Sequence, residues 1–175
     1  MRRSLLILTL TAAPLVAQQQ QSTRDANPGV SAARAHWMTV HNYILRSAEQ
    51  LPESLYNYKP TPAVRSFAEL FGHVAGSEFM FCAPVRGDAP KAEDEIESKV
   101  KDKAGLVKAL KNAAAYCEVA YNISDAVAAG MVDLFGQRSK INALIFNATH
   151  DGEHYGNIVT YLRMKGLVPP SSQQQ

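Results

Sequence analysis

Residues 147–163 read NATHDGEHYGNIVTYLR, and two histidines, His150 and His154, stand four apart in them with Asp151 and Glu153 between. On a helix, side chains at i and i+4 share one face. Two neutral imidazoles at that spacing can bind one zinc-like ion, although a pair on a solvated helix face has the same spacing. Two other metal readings meet obstacles. HDGEH has the form H-x-x-E-H of inverted zinc proteases, but that architecture takes a glutamate ligand far downstream. The 21 residues after His154 contain neither Glu nor Asp. A di-iron bundle requires Glu-x-x-His on two helices and two further glutamates. Only Asp151-x-x-His154 approximates that motif, and only once.

The elements that must position these histidines read as helices. Trp37, His41, Ile44, Leu45, Ala48 and Leu51 recur at spacings of three and four, which predicts a first helix from about Ser31 to Gln50. Pro52, Pro60 and Pro62 make LPESLYNYKPTPAVR a loop. Ser66 followed by Glu69 is a capping box, and the second helix should run from there to about Ala83, before Pro84. A charged loop covers roughly 86–97. The third helix is expected from Ser98 or Asp102 to Tyr121, carried by the alanine-rich GLVKALKNAAAYCEVA. A short helical piece fits around 125–129, and MVDLF (131–135) is the one strand candidate. The fourth helix should run from Ser139 to Lys165, capped by Gly166 and stopped by Pro169. The expected architecture is an all-α four-helix bundle with short extra helical pieces in the connections. The bundle should span 31–168, with a lead-in at 18–30 and a tail at 169–175 that is disordered or laid on the surface.

A third histidine, His73, stands in the middle of the second helix, in ELFGHVAGSEF. It lies close to the apolar Phe67-Leu70-Phe71-Val74 face, so its polar nitrogens need partners. By itself that describes a core histidine bonded to a carbonyl. Gly72 and Gly76 flank it, and glycine costs helix stability; the cost is offset if something must approach closely there. His41 lies on the first helix's stripe and reads as a core or cleft-wall residue, or else as a fourth ligand. His36 reads as surface. Glu153 points about 100 degrees away from His154 and is a weak candidate for a base. Asn147, one turn before His150, is a weak candidate for holding a histidine's second nitrogen or a substrate. Tyr43, Tyr155 and Tyr161 read as packing.

The 175 residues suffice for one domain with a core. Residues 1–17 have a basic start, MRR, and a short apolar run, SLLILTLTAAPLVA. They read as an export signal cleaved after Ala17, by the general secretory route rather than the twin-arginine one, and leave no stable membrane insertion behind. Removing the two arginines from 18 basic residues leaves 16 against 16 acidic ones. That balance provides no basic surface for nucleic acid. The mature protein is expected in the periplasm or outside the cell. There Cys82 and Cys117 are free to form a disulfide, or to remain two separate buried thiols. A homodimer is an open option.

RSFAELFGHVAGSEFMFC, HDGEHYGNIVTYLRMKGLVPPS and the loop LPESLYNYKPTPAVRSF resemble the DinB superfamily of small bacterial four-helix bundles over roughly residues 31–170. The resemblance implies one divalent ion held by three histidines, which match His73, His150 and His154, between the second and fourth helices. Three ligands leave coordination positions open, as in a catalytic rather than a structural site. Zinc and nickel suit imidazole best, with iron and manganese compatible. Characterised members of the family include thiol-dependent S-transferases and a thiol-dependent isomerase. The resemblance therefore implies a thiol S-transferase, or a hydrolase, acting on a small molecule or thiol. The alternative is a non-enzymatic metal- or small-ligand-binding envelope or stress protein, or a bundle that kept its histidines and lost its pocket.

Overall fold

The computed structural model describes residues 25–173. The expected export signal and most of the lead-in lie outside them. Six helices and one hairpin follow in order: α1 Pro28–Gln50, α2 Phe67–Arg86, α3 Glu95–Lys99, α4 Lys103–Ala120, α5 Asp125–Ala128, β1 Met131–Asp133, β2 Gln137–Ser139 and α6 Lys140–Met164. Among the described residues, no helix is long and apolar enough to cross a membrane.

Local chemistry sets most boundaries. Ser66 and Glu69 form the expected capping box on α2. Asp102 caps α4 by accepting from the Gly105 amide at 2.8 Å, and Ser139 caps α6 by accepting from the Asn142 amide at 3.3 Å. Gly166, at φ 72°, ends α6 in the left-handed region.

Four expectations need correction. α1 begins three residues early, at Pro28, because its cap comes from far along the chain. The Asp125 carboxylate accepts from the Gly29 and Val30 amides at 2.9 and 2.8 Å. α2 continues through Pro84 to Arg86 and closes on Gly87 at φ 81°; in the last turn a proline forfeits only one intrahelical bond. The 86–97 loop already contains the start of α3. The tail does not trail away at 169: Pro170–Ser172 make a 3-10 turn, Pro169 and Pro170 are buried, and the Tyr155 hydroxyl donates to Ser171 Oγ at 2.9 Å. The strand candidate pairs with Gln137–Ser139, a polar triplet without strand character in the sequence.

α1, α2, α4 and α6 form the bundle, with α6 and α4 each packed between α1 and α2. Phe67 meets Tyr161, His73 meets His154, and the Lys140 ammonium reaches the Val85 carbonyl, so α2 and α6 run antiparallel. The core has two apolar clusters. One holds Ile44, Phe67, Phe71, Leu106, Leu110, Ile158 and Leu162. The other holds Trp37, Phe81, Cys82, Cys117, Tyr121 and Leu144.

Cys82 and Cys117 join α2 to α4 as a disulfide, with 5.4 Å between their α carbons. The bridge closes a loop of 35 sequence positions, worth about 3–4 kcal/mol in the chain-entropy account. A Cys82→Ser/Cys117→Ser variant should therefore melt ~10 °C below the parent, at the 2–4 °C per kcal/mol typical of this size. Calorimetry of the two proteins side by side checks this, and equal melting temperatures would exclude a stabilising bridge.

Candidate metal centre

The antiparallel pairing of α2 and α6 brings three imidazoles to one point. His73 Nε2 and His154 Nε2 are 3.0 Å apart, and His154 Nε2 and His150 Nε2 are also 3.0 Å apart. Two nitrogens about 2.1 Å from one ion, near a right angle, lie about 3 Å from each other. The spacing therefore suits shared coordination of an ion. A hydrogen-bonded chain of neutral imidazoles fits less well, because His154 Nε2 faces both neighbours and one ring nitrogen is either donor or acceptor, not both. His73 and His154 are buried and His150 is half-buried.

Burial also keeps these groups in the ligand form. It lowers His150 and His154 to about 4, and a neighbouring histidine pushes each further down. His73 is lowered by burial first, then by Arg65 and His154. All three imidazoles are neutral at pH 7, as coordination requires.

The close approach that Gly72 and Gly76 imply is real, and its cause is the segment 93–97. A Cβ on Gly72 would stand 2.8 Å from the Glu97 α carbon, and one on Gly76 would overlap the Glu93 carbonyl oxygen. The segment delivers two carboxylates that sequence reasoning missed, since a charged loop gives no sign of where it will fold back. Glu93 accepts from Ser77 Oγ at 2.8 Å, and its Oε1 lies 3.6 Å from His73 Nε2 and 3.8 Å from His150 Nε2. Glu97 Oε2 lies 3.5 Å from His73 Nδ1, while its other oxygen accepts from Arg65 Nε at 3.0 Å. A carboxylate behind a ligand histidine fixes its tautomer and orientation, and Glu97 is placed to do so for His73. The Nδ1 atoms of His150 and His154 are buried without a hydrogen-bond partner among the described residues.

The weaker candidates separate from this point. Asn147 is fully buried and donates to the Tyr121 hydroxyl at 3.2 Å, with no hydrogen bond to a histidine. Glu153 is exposed on the wall of a cleft. His36 is exposed. Tyr155 stacks on Tyr43, and Tyr161 packs edge-on against Phe67. His41 stands apart from the three histidines: its Nδ1 lies 2.8 Å from Glu78 Oε1. Burial works against its charge, but the Glu78 carboxylate outweighs burial and raises its pKa. Asp151, between the two α6 histidines in sequence, turns to the core on the Asn147–Asp151–Tyr155–Ile158 stripe. Burial pushes its carboxyl well above the usual carboxylate range, and the Glu78 charge adds to the shift.

A cleft of about 560 Å³ opens on His154 and is walled by Arg65, Glu97, Glu153, Asn157 and Tyr161. His154 thus borders a space large enough for a small organic molecule.

The lowered histidines carry a sign that can be checked. Below about 6.5 the unfolded chain binds protons that the folded sites refuse until about 4. Stability of the metal-free protein should be complete above pH 6.5 and fall as pH drops towards 4. Urea denaturation of chelator-treated protein at pH 7 and pH 4.5 measures it. A His150→Gln/His154→Gln variant should lose part of that slope, and an unchanged slope would assign the acid sensitivity elsewhere.

The family model described as the DinB superfamily matches residues 33–158. No curated protein matches the sequence. Among solved structures, a DinB-like protein from Bacillus cereus superposes at TM-score 0.69 with 13% identity, over 80% of this chain and 95% of that one. A DinB-like protein from Bacillus subtilis superposes at 0.63 with 23% identity, over 85% and 100%. A mycothiol-dependent maleylpyruvate isomerase superposes at 0.61 with 14% identity; the match covers 74% of this chain but 59% of that larger protein.

Proposed function

We propose that this chain, which belongs to the DinB superfamily, holds one divalent ion on His73, His150 and His154 and acts as a metal-dependent transferase or hydrolase on a small molecule. The observation that carries the reading is that His73 and His150 each bring Nε2 to 3.0 Å from the Nε2 of His154, which lies on the wall of an open cleft. Bound there, a divalent ion supplies a Lewis acid that lowers the pKa of water or of a thiol. The chain's own residues do the rest. Glu93 is partly exposed and lies within 4 Å of two of the histidines, where it can take a proton from an incoming nucleophile. Glu97 holds His73 in register. Arg65, paired with Glu97, adds one positive charge to a cleft whose wall also carries the carboxylates of Glu69, Glu97 and Glu153.

A thiol is the favoured nucleophile, because a protein of the same fold is a mycothiol-dependent isomerase. Water is the other. The ion is expected to be zinc or nickel, which suit an all-imidazole set. We place the mature protein outside the cytoplasm. The apolar run after MRR and the Cys82–Cys117 bridge support this, since disulfides persist in oxidising compartments. Mass spectrometry of fractionated cells should find a mature chain beginning near Gln18, and an intact Met1 would remove the export reading.

The decisive experiment uses protein purified without a histidine tag. Elemental analysis is followed by assays of thiol transfer to an electrophile and of ester hydrolysis, each with and without chelator. Turnover that disappears on chelation and returns with metal supports the enzyme. Bound metal with turnover in neither assay would assign a non-enzymatic binding role.

A further inference from the structure

Between the two apolar clusters lies a polar layer that the histidine triad does not use. In α1 it falls between Trp37 and Ile44, in α2 between Val74 and Phe81, and in α6 between Ala148 and Tyr155. Its members are His41, Glu78 and Asp151, respectively 3%, 0% and 0% exposed. A ring nitrogen of His41 and one carboxylate oxygen each from Glu78 and Asp151 lie within 4.8 Å of one another.

Most of the polar atoms in this layer have no partner. His41 Nε2, Glu78 Oε2 and both Asp151 oxygens are buried without a hydrogen bond among the described residues. Only Glu78 Oε1 is engaged, accepting from Trp37 Nε1 at 2.6 Å and lying 2.8 Å from His41 Nδ1. Two carboxylates and one imidazole in a dry core are costly unless charge and lone pairs are matched. A proton shared between Asp151 and Glu78 would cancel one charge and join the two carboxyls, but it would leave His41 Nε2 without a partner. A divalent cation cancels two negative charges and takes up the orphaned atoms together.

We propose that His41, Glu78 and Asp151 form a second divalent-cation site, inside the bundle and distinct from the histidine triad. Its one-nitrogen, two-carboxylate donor set is harder than three imidazoles, and suits manganese or ferrous iron as well as zinc. Access is through a cleft of about 240 Å³ between α1 and α4, where His41 lies beside Trp37, Ala114 and Glu118. Asp151 sits between His150 and His154 on one helical turn, so the two sites share a rigid element.

The test is equilibrium dialysis of the full chain against Mn²⁺ with elemental analysis. Two ions per chain are expected for the parent and one each for His73→Ala and Glu78→Gln. Gln keeps an acceptor for Trp37, so Glu78→Gln is the mildest lesion available at that position. A parent binding one ion that His73→Ala abolishes would overturn the second site, as would a Glu78→Gln variant that binds as many ions as the parent. An ion that survives His73→Ala but is lost in Glu78→Gln supports this site even where the triad stays empty, so the two claims fail separately. A second reading needs no change in this layer. Trp37 is the chain's one tryptophan and bonds directly to Glu78. In the His73→Ala variant, Mn²⁺ should quench its fluorescence with the same midpoint as the dialysis curve. Absence of quenching would contradict the proposal even where Glu78→Gln fails to fold.

Discussion

His73→Ala is expected to cost the protein one bound ion per chain, and His150→Ala and His154→Ala are expected to do the same. His73 and His150 each place Nε2 3.0 Å from His154 Nε2, and ring nitrogens of all three lie within 4.8 Å of one another, so deleting any one leaves two ligands and an ion that is mostly hydrated. The loss at the triad should be at least about 100-fold in affinity, more than the 10–100-fold usual for losing a supporting partner. Glu97→Gln, which weakens the support behind His73 Nδ1, should fall within that lower range. His36→Ala, on the exposed face, should change nothing. Isothermal titration of these variants checks the order. A His73→Ala protein that binds the triad ion as the parent does would leave the α6 pair as a surface feature.

The same substitution at two glycines should act in opposite directions. Gly76→Ala places a methyl on the Glu93 carbonyl oxygen. Either the 93–97 segment lifts away or α2 shifts, at a cost typical of overpacking, about 1–3 kcal/mol. That is partly offset by the better helix propensity of alanine, about 1 kcal/mol. Gly152, also inside a helix, has open space where its Cβ would go, so Gly152→Ala should keep the propensity gain and stabilise the protein. Thermal melts give the signs, and limited proteolysis at residues 88–94 should speed up only in Gly76→Ala. If the two variants melt alike, Glu93 does not rest on α2 as described.

What could be read from the chain, and what could not, follows the range of the forces involved. The Ser66–Glu69 capping box acts within one helical turn and placed the start of α2 to within a residue, as Ser139 did for α6; for α4 the sequence left Ser98 and Asp102 open, and Asp102 is the cap. The start of α1 was missed because its cap, Asp125, stands nearly a hundred positions away. The i, i+4 pair on α6 was legible as a candidate; His73 acquired a role only through resemblance, since a lone core histidine is ordinary. Gly72 and Gly76 did announce a close approach, but not which residues make it. Glu93 and Glu97 come from a segment whose composition says only that it is solvated. Glu78 and Asp151 left a signal that went unread: each is a charged residue on an otherwise buried stripe of its helix, and such a residue needs a partner.

The central claim is that one divalent ion is shared by α2 and α6. Anomalous difference density from crystals of tag-free protein grown with zinc, collected at the zinc edge, tests it most directly. The account predicts a strong peak at about 2.0–2.1 Å from the Nε2 atoms of His73, His150 and His154 alike, facing the cleft beside Arg65 and Glu153. Zinc bound only by His150 and His154, with His73 turned to another partner, or no peak at the triad at all, would contradict it.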